Sequence, residues 1–291
     1  MRESYPNAFS RQSFPREHHL AVPGADLAYH LDPDPQGEGH EVAASGLRAI
    51  FMHGFTRTGL DQWGPEQTAF LHAAFPDARL LIPDMRGHGG SRRRMSATGD
   101  APGVPHPQIG RDLEAVVEHV GFAPAHFVGF SSGGIGMLYL ALRRPELFRS
   151  LTLISTSYIM TAAAAREVGR MRGSRNETWY SEMVAELDAL HEPGQGPGHG
   201  ERVLDMWVDY TRPPLDPDLA LTDLASIDFP VLIVHGDRDR FFPVELAVDM
   251  HRTLANSRLC VLPDCGHFIR ATELRQMMET AITSFLWACT R

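Results

Sequence analysis

AHFVGFSSGGIGMLYLAL, residues 125–142, changes character twice within a short span. Ala125 to Val128 is an apolar run with β-branched and aromatic members, the composition of a buried strand. Ile135 to Leu142 is an apolar helical run. Between them Gly129-Phe130-Ser131-Ser132-Gly133 fits G-x-S-x-G, the nucleophile elbow, in the strand–turn–helix setting that motif requires. A serine at the tip of a sharp turn tolerates only small neighbours two residues to either side. The helix that follows turns its N-terminal amides toward the serine oxygen. The plain alternative is a Gly/Ser-rich turn with no chemistry; the flanking strand and helix favour Ser131 as a nucleophile.

Working outward, Glu17–Val22 and Leu27–Leu31 read as short strands around Pro23-Gly24. Further strands fall at 49–52, 79–82, 151–154, 231–234 and 259–262, with helices at 65–75, 109–120, 244–254 and up to about 288. Residues 1–16 read as a loose arm, and 32–41 and 92–107 as loops rich in Pro, Gly and charge. Strands alternating with helices of this length predict a mostly parallel sheet flanked by helices on both faces. The alternation stops over 157–224, which carries helical stretches but no good strand. That segment reads as a helical cap inserted after the sixth strand, over a core of 1–156 and 225–291. Within it, the Gly/Pro tract 193–200 reads as a mobile loop.

Composition closes several doors. The net charge of −9 argues against general nucleic-acid binding. All 27 basic side chains are arginine, which removes Schiff-base chemistry, Ser–Lys dyads and P-loop phosphate binding. Three cysteines without paired spacing suggest a reducing compartment. The N-terminus lacks an apolar signal-peptide core, and no apolar run approaches the roughly 18 residues of a membrane span. The expectation is a cytoplasmic enzyme acting on a small molecule, with no cofactor, metal, nucleic-acid or membrane partner.

A serine nucleophile at neutral pH needs a base within hydrogen-bond reach and a carboxylate to orient that base. Past the strand at 231–234 come Asp237 and Asp239; past the strand at 259–262 comes His267. Asp237 directly follows Gly236, where a side chain most readily serves the turn itself, whereas Asp239 lies farther along the loop. The strand at 49–52 runs into His53-Gly54-Phe55, a tight turn whose Phe55 amide, with that of Ser132, is suited to holding an oxyanion. Cys265 lies two residues before His267 but has no activating turn around it.

Over nearly all of 17–288 the chain resembles the α/β-hydrolase family with a helical cap. The resemblance rests on His53-Gly54-Phe55, Asp84-Met85-Arg86-Gly87-His88-Gly89-Gly90-Ser91, the elbow, Pro145-Glu146-Leu147-Phe148, His235-Gly236-Asp237-Arg238-Asp239 and Gly266-His267, in that order. Each motif is weak alone; their joint order is specific. It implies Ser131 as nucleophile, His267 as base and Asp239 as orienter. The serine at the elbow excludes the aspartate-nucleophile branches.

Other conspicuous residues have quieter readings. His53 and His235 stand at strand ends and fit structural hydrogen bonding. His18, His19 and His199 lack metal-ligand spacing. Arg92-Arg93-Arg94 reads as a solvated loop. Trp179, Tyr180, Met183, Trp207 and Tyr210 are the cap's candidates for lining a substrate pocket, although some must simply pack the cap onto the core. The activity implied is hydrolysis of a carboxylic ester or lactone with a largely apolar part. Carbon–carbon hydrolysis of a β-diketone-type substrate, thioester hydrolysis and a biosynthetic lyase or cyclase use the same triad. A ligand-binding protein on this scaffold is the reading from outside enzymes.

Overall fold

The structure is a computed structural model and describes residues 16–34, 46–93, 104–212 and 214–291. Residues 1–15 of the arm expected over 1–16, residues 35–41 of the first loop, and Arg94 with the segment to 103 lie outside the described residues. Among the described residues nine strands lie in one sheet: β1 (Glu17–Val22), β2 (Ala25–Asp32), β3 (Arg48–Met52), β4 (Arg79–Pro83), β5 (Arg92–Arg93), β6 (Ala125–Phe130), β7 (Phe148–Ile154), β8 (Val231–Gly236) and β9 (Ser257–Leu262). Their order is β1-β2-β4-β3-β6-β7-β8-β9, with β5 beside β2. Pairing is antiparallel from β1 through β2 to β4, and parallel from β4 to β9.

A strand that is apolar at every position has to be covered on both faces. β6 and β8 are buried at all six positions, and the helices supply the cover. α3 (His106–Val120), α4 (Ser132–Arg143) and α9 (Val244–Thr253) build one apolar layer. α1 (Gly59–Trp63), α2 (Pro65–Ala74) and α10 (Thr272–Cys289) give Trp63, Leu71, Ile282 and Phe285 to the other. The edge strand β1 alternates exposed and half-buried residues.

Between β7 and β8 run α5 (Ala162–Gly173), α6 (Thr178–Gln195), α7 (His199–Asp209) and the short α8 (Leu221–Leu224). Three sequence expectations need correction. Arg92 and Arg93 are not the start of a loop: they pair with Asp26 and Ala25, and that extra strand puts the helical insertion after the seventh strand. The later part of that supposed loop, His106-Pro107, forms the first turn of α3, where a proline's missing N–H costs nothing.

The tract at 193–200 is not a free loop either. α6 continues through Pro193 to Gln195, and the segment lands on the turn Gly87–Ser91. There Gln195 Nε2 donates to the carbonyls of Gly89 and Ser91, both at 2.9 Å. His191 Nδ1 accepts from the Gly89 amide at 3.1 Å, and His199 Nε2 donates to Gly87 O at 2.8 Å. Any Cβ at Gly194 would collide with the Gly89 carbonyl, so the glycine content serves close approach.

This seam is rich in buried imidazole. The rings of His53, His88, His191 and His199 follow one another at centroid separations of 5.5, 5.3 and 6.0 Å. Burial, with like-charge repulsion from neighbouring imidazoles, pulls His53 down to about 3, His88 to about 4 and His191 to about 2. Burial and Arg149 take His126, in β6, to about 4. All four lie below the ordinary 6.5, so on acidification the unfolded chain takes up protons before the folded one does. Stability is therefore complete above that value and drains as pH falls toward the folded values, by about 1.4 kcal/mol per pH unit for each imidazole. We expect the melting temperature to drop with growing steepness between pH 6.5 and 5, as the protons taken up on unfolding rise from about two to between three and four. A melting temperature flat over that range would show that these rings titrate as they do in water.

Candidate active site

Ser131 joins β6 to α4 with φ 49° and ψ −121°, a left-handed conformation rare for a residue with a side chain. The turn is tight enough that a Cβ at Gly133 would lie 2.5 Å from the His53 carbonyl. Its own amide donates to Ile154 O at 2.9 Å, tying the turn to β7. The hydroxyl lies 3.0 Å from His267 Nε2, and His267 Nδ1 lies 2.8 Å from Asp239 Oδ2.

The second oxygen of Asp239 accepts from the amides of Phe241 at 2.8 Å and Phe242 at 3.0 Å. Burial pushes this carboxyl up, but the His267 ring, its hydrogen bond and the Phe242 amide outweigh that and hold it below the usual carboxylate range. Asp237 does something else. Its Oδ1 accepts from the Cys265 amide at 3.2 Å, pinning the loop that carries His267. His235 Nε2 lies 2.8 Å from Phe242 O; burial lowers its pKa, so it backs the Asp239 loop as a neutral ring.

The peptide before Phe55 is clamped at both ends. Gly54 O accepts from His53 Nδ1 at 2.8 Å and from the Arg57 amide at 3.0 Å, and Gly54 N donates to Gln62 Oε1 at 2.8 Å. The Met85 amide donates to His53 Nε2 at 2.8 Å, which fixes the ring proton on Nδ1. The Phe55 N–H leaves its peptide opposite that held carbonyl. Ser132 is the first residue of α4, so its N–H has no partner within the helix. Among the described residues neither amide meets a protein acceptor.

The structure divides the five pocket candidates. Tyr210 lies 5.0 Å from the Phe55 ring, and Trp207 lies 6.4 Å from it and stacks on Phe241 at 5.3 Å. Phe241 in turn lies 4.8 Å from His267. Tyr180 instead turns inward, its hydroxyl bonded to Arg172 of α5 and Glu201 of α7. Trp179 packs on Tyr180 and under the Arg170 guanidinium, and Met183 is half-buried against the same cluster.

Phe241, Gln62, His88 and His191 escape sequence reasoning. Only Phe241, two positions after Asp239, and His88, inside the Asp84–Ser91 motif, carried a hint. The Cys265 thiol is buried and pushed up to about 11 by burial and the nearby Asp239 and Asp237, which leaves it protonated at neutral pH. Among the described residues, Glu17, His30 and Asp84 bring three potential metal ligands together. Both Asp84 oxygens are already held, by the amides of Gly59 at 2.6 Å and Gly90 at 2.8 Å, so the trio reads as a brace between β1, β2 and the turn after β4. No helix among the described residues is long and apolar enough to cross a membrane.

A parallel sheet that presents a serine on a strained strand-to-helix turn, facing a histidine from a later strand end, defines the α/β-hydrolase class. A family model for the alpha/beta hydrolase fold matches residues 50–193. The chain is 30% identical over 227 residues to a pimeloyl-[acyl-carrier protein] methyl ester esterase of Neisseria meningitidis, covering 70% of this chain and 83% of that one. It is also 30% identical over 264 residues to a 2-hydroxymuconate semialdehyde hydrolase of Pseudomonas putida, covering 79% and 88%. A solved hydrolase from Pseudomonas aeruginosa superposes with a TM-score of 0.69 at 24% identity, over 93% of this chain and 98% of its own. The protein belongs to the α/β-hydrolase family and is a hydrolase.

Proposed function

We propose that this enzyme hydrolyses a carboxylic ester or lactone with a largely apolar acyl or alcohol part, through an acyl-enzyme on Ser131. The observation that carries the reading is the continuous relay from Ser131 Oγ through His267 to Asp239, at 3.0 and 2.8 Å. His267 takes the hydroxyl proton as the serine oxygen adds to the carbonyl carbon, then returns it to the leaving alcohol. Water repeats the cycle, freeing the acid and restoring Ser131. The Phe55 and Ser132 amides receive the negative charge that develops on the carbonyl oxygen.

The rings of Phe241, Trp207, Phe55 and Tyr210 favour an apolar group beside the reacting carbon. Likeness to a methyl ester esterase supports ester chemistry, and likeness to a 2-hydroxymuconate semialdehyde hydrolase makes such a compound the second substrate to try. Three free thiols, Cys260, Cys265 and Cys289, support a cytoplasmic setting.

A fluorophosphonate probe is expected to label the protein once, at Ser131. Ser131→Ala should then lose ester turnover by several orders of magnitude. Full activity in that variant, or labelling elsewhere, overturns the proposal. Asp239→Asn should cost about 10⁴ in turnover by favouring the wrong imidazole tautomer, with the fold kept. Asp237→Asn, which loosens only the brace to Cys265, should cost about 1 kcal/mol of stability and remain active. Melting curves and kcat measured on the two variants together decide between them. Trp207→Ala should change relative kcat/KM along a series of p-nitrophenyl esters by about tenfold. A uniform change across the series would make the ring a stability element only.

A further inference from the structure

His191 belongs to α6 in the insertion, far in sequence from the oxyanion loop, yet its ring is completely buried. Its Nδ1 accepts from the Gly89 amide at 3.1 Å, so the ring proton sits on Nε2. That N–H is directed toward the Thr56 backbone carbonyl, one residue past Phe55, without reaching a well-formed hydrogen bond. The ring also lies edge-on to His88 at 5.3 Å. His88, again completely buried, contacts the Phe55 ring at 4.8 Å and the His53 ring at 5.5 Å. His53 in turn clamps Gly54 O, the carbonyl of the peptide that carries the Phe55 N–H.

We propose that His191 is a positioning residue for the oxyanion loop: through Gly89 and the His88 ring it fixes where the Phe55 amide stands. The proposal rests on the reading of that amide as an oxyanion donor. A close-packed interior passes a displacement from ring to ring instead of absorbing it, and the three imidazoles form one contiguous block. Burial keeps His191, His88 and His53 uncharged, so their proton positions are set by hydrogen bonds and stay fixed through the reaction. Reaction charge then meets a donor whose place was set beforehand, the condition under which such donors contribute most.

Simple adhesion between insertion and core predicts something different. Gln195 fastens the same seam through the backbone carbonyls of Gly89 and Ser91, and more weakly His88 at 3.4 Å, with no bond to a ring nitrogen of the stack. Gln195→Ala should lower the melting temperature and leave kcat within about twofold. His191→Leu should lower kcat by about ten- to a hundredfold, below the loss from deleting an oxyanion donor outright, with KM little changed. A trifluoromethyl ketone, whose adduct with Ser131 carries the oxyanion, should bind more weakly by the same factor as kcat/KM falls. His191→Asn places an acceptor oxygen where Nδ1 stands and should restore most of kcat. If His191→Leu does not fold, His191→Gln replaces it, since its acceptor sits one bond too far out for Gly89.

The proposal is overturned if folded His191→Leu keeps wild-type kcat and ketone affinity. It also falls if Gln195→Ala loses kcat to the same extent, or if the Asn and Gln variants are equally slow. A wild-type enzyme that neither takes the fluorophosphonate nor binds the ketone would instead overturn the reading of Ser131, and this inference with it.

Discussion

The backbone at Ser131 is the constraint around which the molecule is arranged. A side-chain-bearing residue at φ 49° costs about 1–3 kcal/mol and persists only where its surroundings over-determine it. Here β6 is held between β3 and β7, the Ser131 amide bonds Ile154 O, and its carbonyl accepts the first bond of α4 from Ile135. Ser155 and Asp264 also have positive φ, at 47° and 51°. They follow β7 and β9, so the strained positions gather at the ends of strands that converge on one site.

The second organising principle is the treatment of buried polarity. Asp239 is charged and buried, and it receives three donors: His267 Nδ1 and the amides of Phe241 and Phe242. Burying an ion is tolerable on those terms. Two other buried rings, His235 beside it and His53 across the site, remain neutral because burial disfavours their cations by more than the carbonyl each one faces favours them.

Local chemistry was legible in the sequence; proximity across the chain was much less so. The elbow, the strands feeding it and the meeting of Asp239, not Asp237, with His267 follow from residue type and from position relative to a strand end. Asp237 does what a residue at the exit of a strand does, bracing the adjacent turn. By contrast, Gly and Pro at 193–197 carry the same signature in a loose loop and in a backbone brought hard against another backbone. Only the position of Gly89 separates the two. Arg92-Arg93 looked like loop because a two-residue strand has no periodicity to read. The divided fate of the aromatics has the same origin. Tyr180 and Trp207 are alike in composition, and a phenol bonded to Glu201 cannot be told in advance from a ring stacked on Phe241.

One short turn serves both halves of the molecule. Asp84 holds the amides of Gly59 and Gly90, and Ser91 Oγ donates to Asp84 O while accepting from the Ala28 amide, so residues 84–91 are fastened to the sheet from below. From above the same turn receives His191, Gln195 and His199. Close approach of Gly194 to Gly89 leaves no room for even a methyl group, which fixes this corner as the seat of the insertion. α5 buries Ala164 and Val168 in the core and adds exposed or half-exposed ion pairs, such as Arg172 with Glu201, which contribute little each. The insertion's place over the sheet is therefore set at 191–199, by close backbone contact with the turn at 84–91, and not by these surface pairs.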